Sequence, residues 1–287
     1  MIFKSLISKN LSNYIRSLST KLAYVSDLHL EHIRWGTDYP KINETQLQLI
    51  KEENIHGIAI LGDLSNPYFD NFSHFLGYCG GIFDNVYFVA GNHEYYVKGL
   101  KVELLKGKIE DRISTSIDIA KNISNNSSIH YLNNSHIQLL NNKILIGSTL
   151  WSDQINSILK KDNYTQMYKF VTNEHKESQI YLHNFINICK KFNELNYIKE
   201  PNVTILTHYL PTHLLIDDKY KHIYNTDRTK SERYYSNLDN LIKFPVKNWI
   251  CGHSHSNNSL YLNGVYLGIN SYISQKNNEI NLKFVYL

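Results

Sequence analysis

The sequence predicts a mixed α/β (α+β) protein, with parallel strand–helix–strand units at its start and more strands than one sheet would hold. Three observations carry this. β-like runs at 22–25, 55–61 and 86–89 alternate with segments of helical spacing, which implies βαβ connections and parallel pairing. Further β-like runs at 129–132, 137–140, 144–147, 203–206, 249–251 and from 259 onward raise the strand count enough for two sheets. Five of these runs end in short polar islands, at the carboxyl ends where open α/β sheets gather their functional loops.

The elements follow in order. Residues 1–20 stand apart: Lys4, Lys9, Arg16 and then Lys21 precede any acidic residue, among Ser, Leu and Ile. That pattern resembles an acid-poor targeting peptide or a short basic surface helix, with an extension packed on the domain as the plainer alternative. The run at 22–25 ends at Asp27. Residues 42–53 have helical spacing, with Ile42, Leu47, Leu49 and Ile50 as apolar positions. The strand at 55–61 ends at Gly62-Asp63, a helix follows at about 69–78, and the strand at 86–89 runs into Gly91-Asn92-His93-Glu94.

A helical stretch at about 98–121 closes in the polar residues 122–128. Asn133-Asn134 and Asn141-Asn142 read as hairpin turns between the short strands that come next. Residues 154–197 are helical in pattern. The strand at 203–206 delivers His208, and the strand at 249–251 delivers His253 and His255. With no repeat and no linker, residues 21–287 read as a single domain.

Composition narrows the function classes. The chain has 287 residues, 42% hydrophobic and 20% charged, in the globular range and far from a disordered composition. The 22 Tyr, like the abundant Asn, Ile and Lys, read as compositional bias. A net charge of +4 suits an anionic substrate without the clustered Lys/Arg footprint of a dedicated nucleic-acid binder. Three scattered cysteines form no CxxC, which excludes a cysteine-rich zinc site and fits a reducing, intracellular and cytoplasmic setting. No apolar run reaches membrane-spanning length. Nothing in the sequence sets an oligomeric state.

The chemistry lies in the islands: Asp27-x-His29, Gly62-Asp63, Gly91-Asn92-His93-Glu94, Thr207-His208 and Gly252-His253-x-His255. Side chains at i and i+2 on extended backbone point the same way, so Asp27 with His29, and His253 with His255, each present two ligands to one place. Gly62, Gly91 and Gly252 allow sharp turns before Asp63, Asn92 and His253. Carboxylate, amide and imidazole donors together suit Mn, Fe, Zn or Co. Two such ions activate water at neutral pH, which points to a hydrolase.

In this order and from residue 22 onward, the five islands resemble the calcineurin-like metallophosphoesterase superfamily. The resemblance implies a four-layer αββα sandwich of two mixed sheets flanked by helices. It also implies that Asp63 bridges two divalent ions, Mn in vitro. Asp27, His29 and His255 would complete one site, and Asn92, His208 and His253 the other. A metal-bridging hydroxide would attack in line, with His93 as general acid. Two ions bring four positive charges against two from Asp27 and Asp63, which leaves room for a phosphate-ester substrate.

One position departs from the family pattern. Members commonly carry an acidic residue three positions after the bridging Asp, paired with the His of the Asn-His-Glu block; here it is Asn66, followed by Pro67. An amide orients His93 but does not stabilise its protonated form as a carboxylate does, so weaker acid assistance and a preference for good leaving groups are expected.

Other residues carry weaker expectations. Glu94 reads as a supporting residue, Tyr95, Tyr96 and Trp151 as packing or pocket border, His213 as a histidine near His208, and Arg228 and Arg233 as loop charges that would hold phosphate only if they reach the site. Two alternatives stand beside a phosphomonoesterase: a phosphodiesterase or nuclease on cyclic nucleotides or nucleic acid, and a non-catalytic scaffold of the same fold. The presence of all seven ligand candidates disfavours the scaffold.

Overall fold

The computed structural model describes residues 21–32, 39–53, 55–96, 106–152, 165–218, 234–274 and 279–287. In chain order the strands are β1 (Lys21–Val25), β2 (Lys41–Ile42), β3 (Gly57–Leu61), β4 (Val86–Val89), β5 (Ile129–Tyr131), β6 (Ser135–Gln138) and β7 (Lys143–Ser148). They continue as β8 (Asn202–Thr207), β9 (Val246–Cys251), β10 (Ser259–Leu262), β11 (Val265–Ile269), β12 (Glu279–Ile280) and β13 (Lys283–Tyr286). The longer helices are α1 (Glu44–Glu53), α2 (Asp70–Ile82), α3 (Lys106–Ser124) and α4 (Thr165–Glu194).

Two mixed sheets form, in the orders β13-β1-β3-β4-β5 and β10-β11-β9-β8-β7-β6, and β12 pairs with β2. The predicted parallel pairing is present, β1 with β3 and β3 with β4, and β7 with β8 and β8 with β9 pair in parallel as well. Antiparallel strands close three of the four edges, β13 on β1, β10 on β11 and β6 on β7, and β5 closes the fourth in parallel on β4.

The period-2 alternation of each strand explains the layering. Leu22 and Tyr24, Ala59 and Leu61, Tyr87 and Val89 join Leu145, Leu206 and Ile250 in one buried cluster. Their alternates, Ala23 and Val25, Ile58 and Ile60, Val86 and Phe88, join a second cluster with the helices. So the first layer lies between the sheets and the second outside them. α2 presents Phe72, Phe75, Leu76 and Cys79 at helical spacing, and Phe72 meets Phe88 of β4 edge-on at 5.2 Å. On the other sheet, Phe185 of α4 packs on His136 of β6 at 4.3 Å. Each fully buried Leu, Ile or Phe contributes roughly 1.5–3 kcal/mol by leaving water, so both layers are needed to hold the strand ends in register.

Several boundaries differ from expectation. Ile42 belongs to β2, and α1 starts only after Asn43, whose Oδ1 accepts the Thr45 N–H at 3.0 Å. Asn141-Asn142, with φ of 58° and 59°, is the predicted hairpin turn between β6 and β7. Asn133-Asn134 is not a hairpin: β5 pairs with β4 in parallel, β6 belongs to the other sheet, and this pair carries the chain across. The outer parts of the helices expected at 98–121 and 154–197 fall partly outside the described residues, as do residues 1–20, Arg228 and Arg233. Among the described residues, no helix is long and apolar enough to cross a membrane.

Candidate metal centre

All five islands lie at the carboxyl ends of strands, β1, β3 and β4 in one sheet and β8 and β9 in the other, and they meet at one end of the sandwich. Bonds between the sheets, from His208 and Thr149, and one between neighbouring strand ends, from Gly252, fix that meeting. His208 donates Nδ1–H to the Leu61 carbonyl at 2.8 Å, Gly252 N–H donates to the His208 carbonyl at 2.9 Å, and Thr149 Oγ1 donates to the Ala90 carbonyl at 2.8 Å.

The backbone that aims the ligands is not extended. Asp27, His29, Asp63, His253 and His255 have φ of 52°, 48°, 50°, 67° and 48°. The expectation that i and i+2 converge along a strand is therefore corrected, because at Asp27-x-His29 and His253-x-His255 the chain leaves strand geometry and turns through left-handed positions. Such positions cost about 1–3 kcal/mol each for non-glycine residues and persist only where surrounding structure imposes them. Here Asp27 N–H donates to Gly62 O at 3.0 Å, His29 N–H to Asp63 O at 2.9 Å, and His253 N–H to Asp27 Oδ1 at 3.1 Å. Gly62, with φ of 80°, supplies the turn before Asp63.

The side chains converge in two groups. Ligand atoms of Asp27, His29, Asp63 and His255 lie within 4.8 Å of one another, as do those of Asp63, His208 and His253. Asp63 belongs to both, with Oδ2 3.3 Å from His208 Nε2 and 3.7 Å from His29 Nε2. In the first group His29 Nε2 faces His255 Nε2 at 3.1 Å, and His255 Nε2 is 3.7 Å from Asp27 Oδ1. In the second, His208 Nε2 is 3.0 Å from Asn92 Oδ1 and 3.2 Å from His253 Nδ1. All seven predicted ligands are thus brought together.

The donors fit divalent cations. Imidazole nitrogens face each other in both groups, and burial holds two of the histidines in the neutral form that ligates without losing a proton. Burial, reinforced by His208, holds His253 well below the usual histidine range, so it stays neutral. Burial lowers His255 as well, against the pull of Asp27. Burial opposes the charge on Asp63, but His208 outweighs it and keeps the carboxyl ionised. Burial likewise opposes the charge on His208, yet Asp63 raises it to about 9. The Leu61 bond fixes the proton on His208 Nδ1 and leaves Nε2 as the ligand atom.

Two acidic residues frame the centre. Glu94 is fully buried and is a clamp between loops: it accepts Asp63 N–H at 3.0 Å, Leu64 N–H at 2.7 Å, Ser65 N–H at 3.3 Å and Gly91 N–H at 2.6 Å. Gly91 is required by space, since a Cβ there would sit 2.6 Å from Asp63 N and 2.8 Å from His208 Cε1. Glu31, which the motif reading passed over, places Oε1 3.0 Å from His93 Nδ1 and 3.0 Å from His29 Nδ1. Its only sequence signal is the spacing Asp27-x-His29-x-Glu31.

This corrects the expectation drawn from Asn66. Asn66 Oδ1 accepts the Tyr68 N–H at 2.9 Å, while the carboxylate that His93 was expected to lack comes from residue 31. Burial lowers the His93 pKa, but the Glu31 bond together with the Asp63 and Glu31 charges outweighs it and raises it above the usual value. Burial raises Glu31, but the bonds from His29 and His93 bring it down to about 2.

The remaining candidates separate clearly. Tyr95 and Trp151 are core residues, packed on each other at 5.5 Å. Tyr96, half exposed, stands 5.3 Å from the His93 ring, and Tyr234 5.3 Å from the His253 ring, so these two border the centre. His213 packs on Tyr235 at 5.8 Å and is in neither ligand group.

Comparison with known proteins agrees with this geometry. The model of the family described as calcineurin-like phosphoesterase matches residues 20–257. The uncharacterized protein L509 of Acanthamoeba polyphaga mimivirus is 29% identical over 277 residues, covering 90% of this chain and 93% of that protein. Phosphopantetheinyl hydrolase (PptH) from Mycobacterium tuberculosis shares the fold, with a TM-score of 0.52 over 93% of this chain and 96% of that one, at 14% identity.

Proposed function

This chain belongs to the calcineurin-like phosphoesterase family, and from that premise we propose that it hydrolyses small phosphate esters with two divalent metal ions, using residues 21–287 as one catalytic domain. The observation that supports this most is the place of Asp63 in both ligand groups. In this reading Asp63 would be shared by both ions, Asp27, His29 and His255 would hold one, and Asn92, His208 and His253 would hold the other. The ions, when bound, would polarise phosphoryl oxygens and lower the pKa of a shared water, the usual contribution of a two-metal site. Manganese suits the mixed oxygen and nitrogen donors.

The protein's own groups supply the rest. His93, with Nδ1 on Glu31, keeps Nε2 for the substrate and gives its proton to the departing ester oxygen as the phosphorus–oxygen bond breaks. Its side chain is about one-third exposed, which leaves a route for substrate. Tyr96 and Tyr234 border the centre and meet the organic part of the ester.

The test is to strip the purified protein, reload it with Mn, and assay bis(4-nitrophenyl) phosphate, 4-nitrophenyl phosphate and cyclic nucleotides. Turnover of at least one ester that disappears in Asp63→Asn supports the reading. Absence of turnover on every ester, with two Mn bound, overturns it.

A further inference from the structure

We infer that Glu31 is a positioning residue that ties one metal-ligand group to the candidate acid, by receiving the Nδ1–H of His29 and of His93 on a single carboxylate oxygen. The inference rests on the reading of the centre given above and assigns a task to a residue outside the seven ligands.

Glu31 Oε1 is 3.0 Å from each Nδ1, and the two rings meet edge-to-face with centroids 4.4 Å apart. One carboxylate oxygen has two lone pairs, enough for both N–H groups. His32 Nε2 is more distant, at 3.8 Å, on an exposed ring. The second oxygen, Oε2, is buried and has no hydrogen-bond partner among the described residues. The side chain is only 14% exposed, so water does little to screen it or to replace those bonds. A buried carboxylate whose contacts go to one oxygen and two imidazoles is placed for those imidazoles.

The consequence follows from the imidazole ring. With Nδ1 protonated and held, His29 has its lone pair on Nε2, the atom facing Asp63 and His255. His93, anchored by the same carboxylate in its protonated form, carries its second N–H on Nε2, opposite the anchor, where it can be given to a leaving oxygen. Removing the carboxylate releases both rings at once, so metal affinity and acid assistance fall together. Asp27-x-His29-x-Glu31 then acts as one unit: residue 29 binds, and residue 31 orients both the binder and a histidine 62 positions away.

Three readouts test this in the full-length protein. The first is the imidazole nitrogen NMR spectrum of the Zn-loaded protein, where both His29 and His93 are expected to carry a proton on Nδ1. The second is Mn titration of Glu31→Gln, in which one of the two sites is expected to weaken by roughly 10–100-fold while the other is retained. The third compares a good and a poor leaving group at saturating Mn. Glu31→Gln is expected to slow the poor leaving group at least tenfold more than the good one. In a His93→Ala background the same change is expected to add no further difference, because both act through one ring.

A proton missing from Nδ1 of His29 or of His93, unchanged Mn affinity in Glu31→Gln, or equal slowing of both esters overturns the inference. The spectrum needs no variant, so it decides the matter even if Glu31→Gln fails to fold. If the wild-type protein turns over no ester, the proposed function fails, while the NMR and Mn results still judge the role of Glu31.

Discussion

Replacing Glu94 by Gln removes the most connected polar group near the centre. Oε2 accepts from Asp63 N and Gly91 N, and Oε1 accepts from Leu64 N and Ser65 N. Glutamine keeps one oxygen and turns an NH2 group toward the other two donors, so two buried N–H groups lose their acceptor. Each unsatisfied donor costs about 1–3 kcal/mol, which gives a loss of roughly 2–6 kcal/mol. The assay is urea unfolding of metal-free wild-type and variant proteins, followed by circular dichroism and comparison at equal m-value. Because the lost bonds fix both the Asp63 turn and the Gly91 turn, Mn binding weakens at both sites together. A change below about 1 kcal/mol, within the ordinary range for exposed substitutions, refutes the account of Glu94 as a clamp.

The other predictions concern the same region. Gly91→Ala places a methyl group against Asp63 and His208; overpacking of this kind costs about 1–3 kcal/mol, and the variant is expected to bind fewer than two Mn by elemental analysis. His208 titrates at about 9 without metal, above its unfolded value. Its contribution to the stability of the metal-free protein is therefore complete below about pH 6.5 and lost as pH rises through 9, which thermal melts will show. Mn displaces that same proton, so affinity increases over this window and calorimetry in buffers of different ionisation enthalpy detects proton release. Leu206→Ala, in the layer between the sheets and two residues before His208, is expected to cost about 2–5 kcal/mol in urea unfolding.

Much of the fold was legible because apolar runs and strand ends carry strong local signals. Leu22, Ala23, Tyr24 and Val25 read as one apolar strand, and only the packed sheets divide them into an inner and an outer face. The five islands were visible because each joins an apolar run to metal-binding residue types. What was not legible depends on contacts between distant segments. Asn133-Asn134 has the composition of a hairpin turn, and only the pairing of β5 with β4 reveals that it changes sheets.

The left-handed positions at Asp27, His29, His253 and His255 are imposed by bonds across loops, so local patterning suggested extended backbone in their place. Glu31 was hidden for a related reason. The partner of His93 was sought three residues after Asp63, whereas it comes from the short 3-10 turn Leu30–His32 that follows His29, where short range shows only one more acidic residue beyond a ligand.

The measurement that bears most directly on the central claim is anomalous diffraction from crystals soaked in Mn. Two peaks about 3.5–4 Å apart, with the Asp63 carboxylate between them and His29 and His208 on opposite sides, are the predicted result. A single peak, or two peaks of which one lies beyond reach of Asp63, contradicts it.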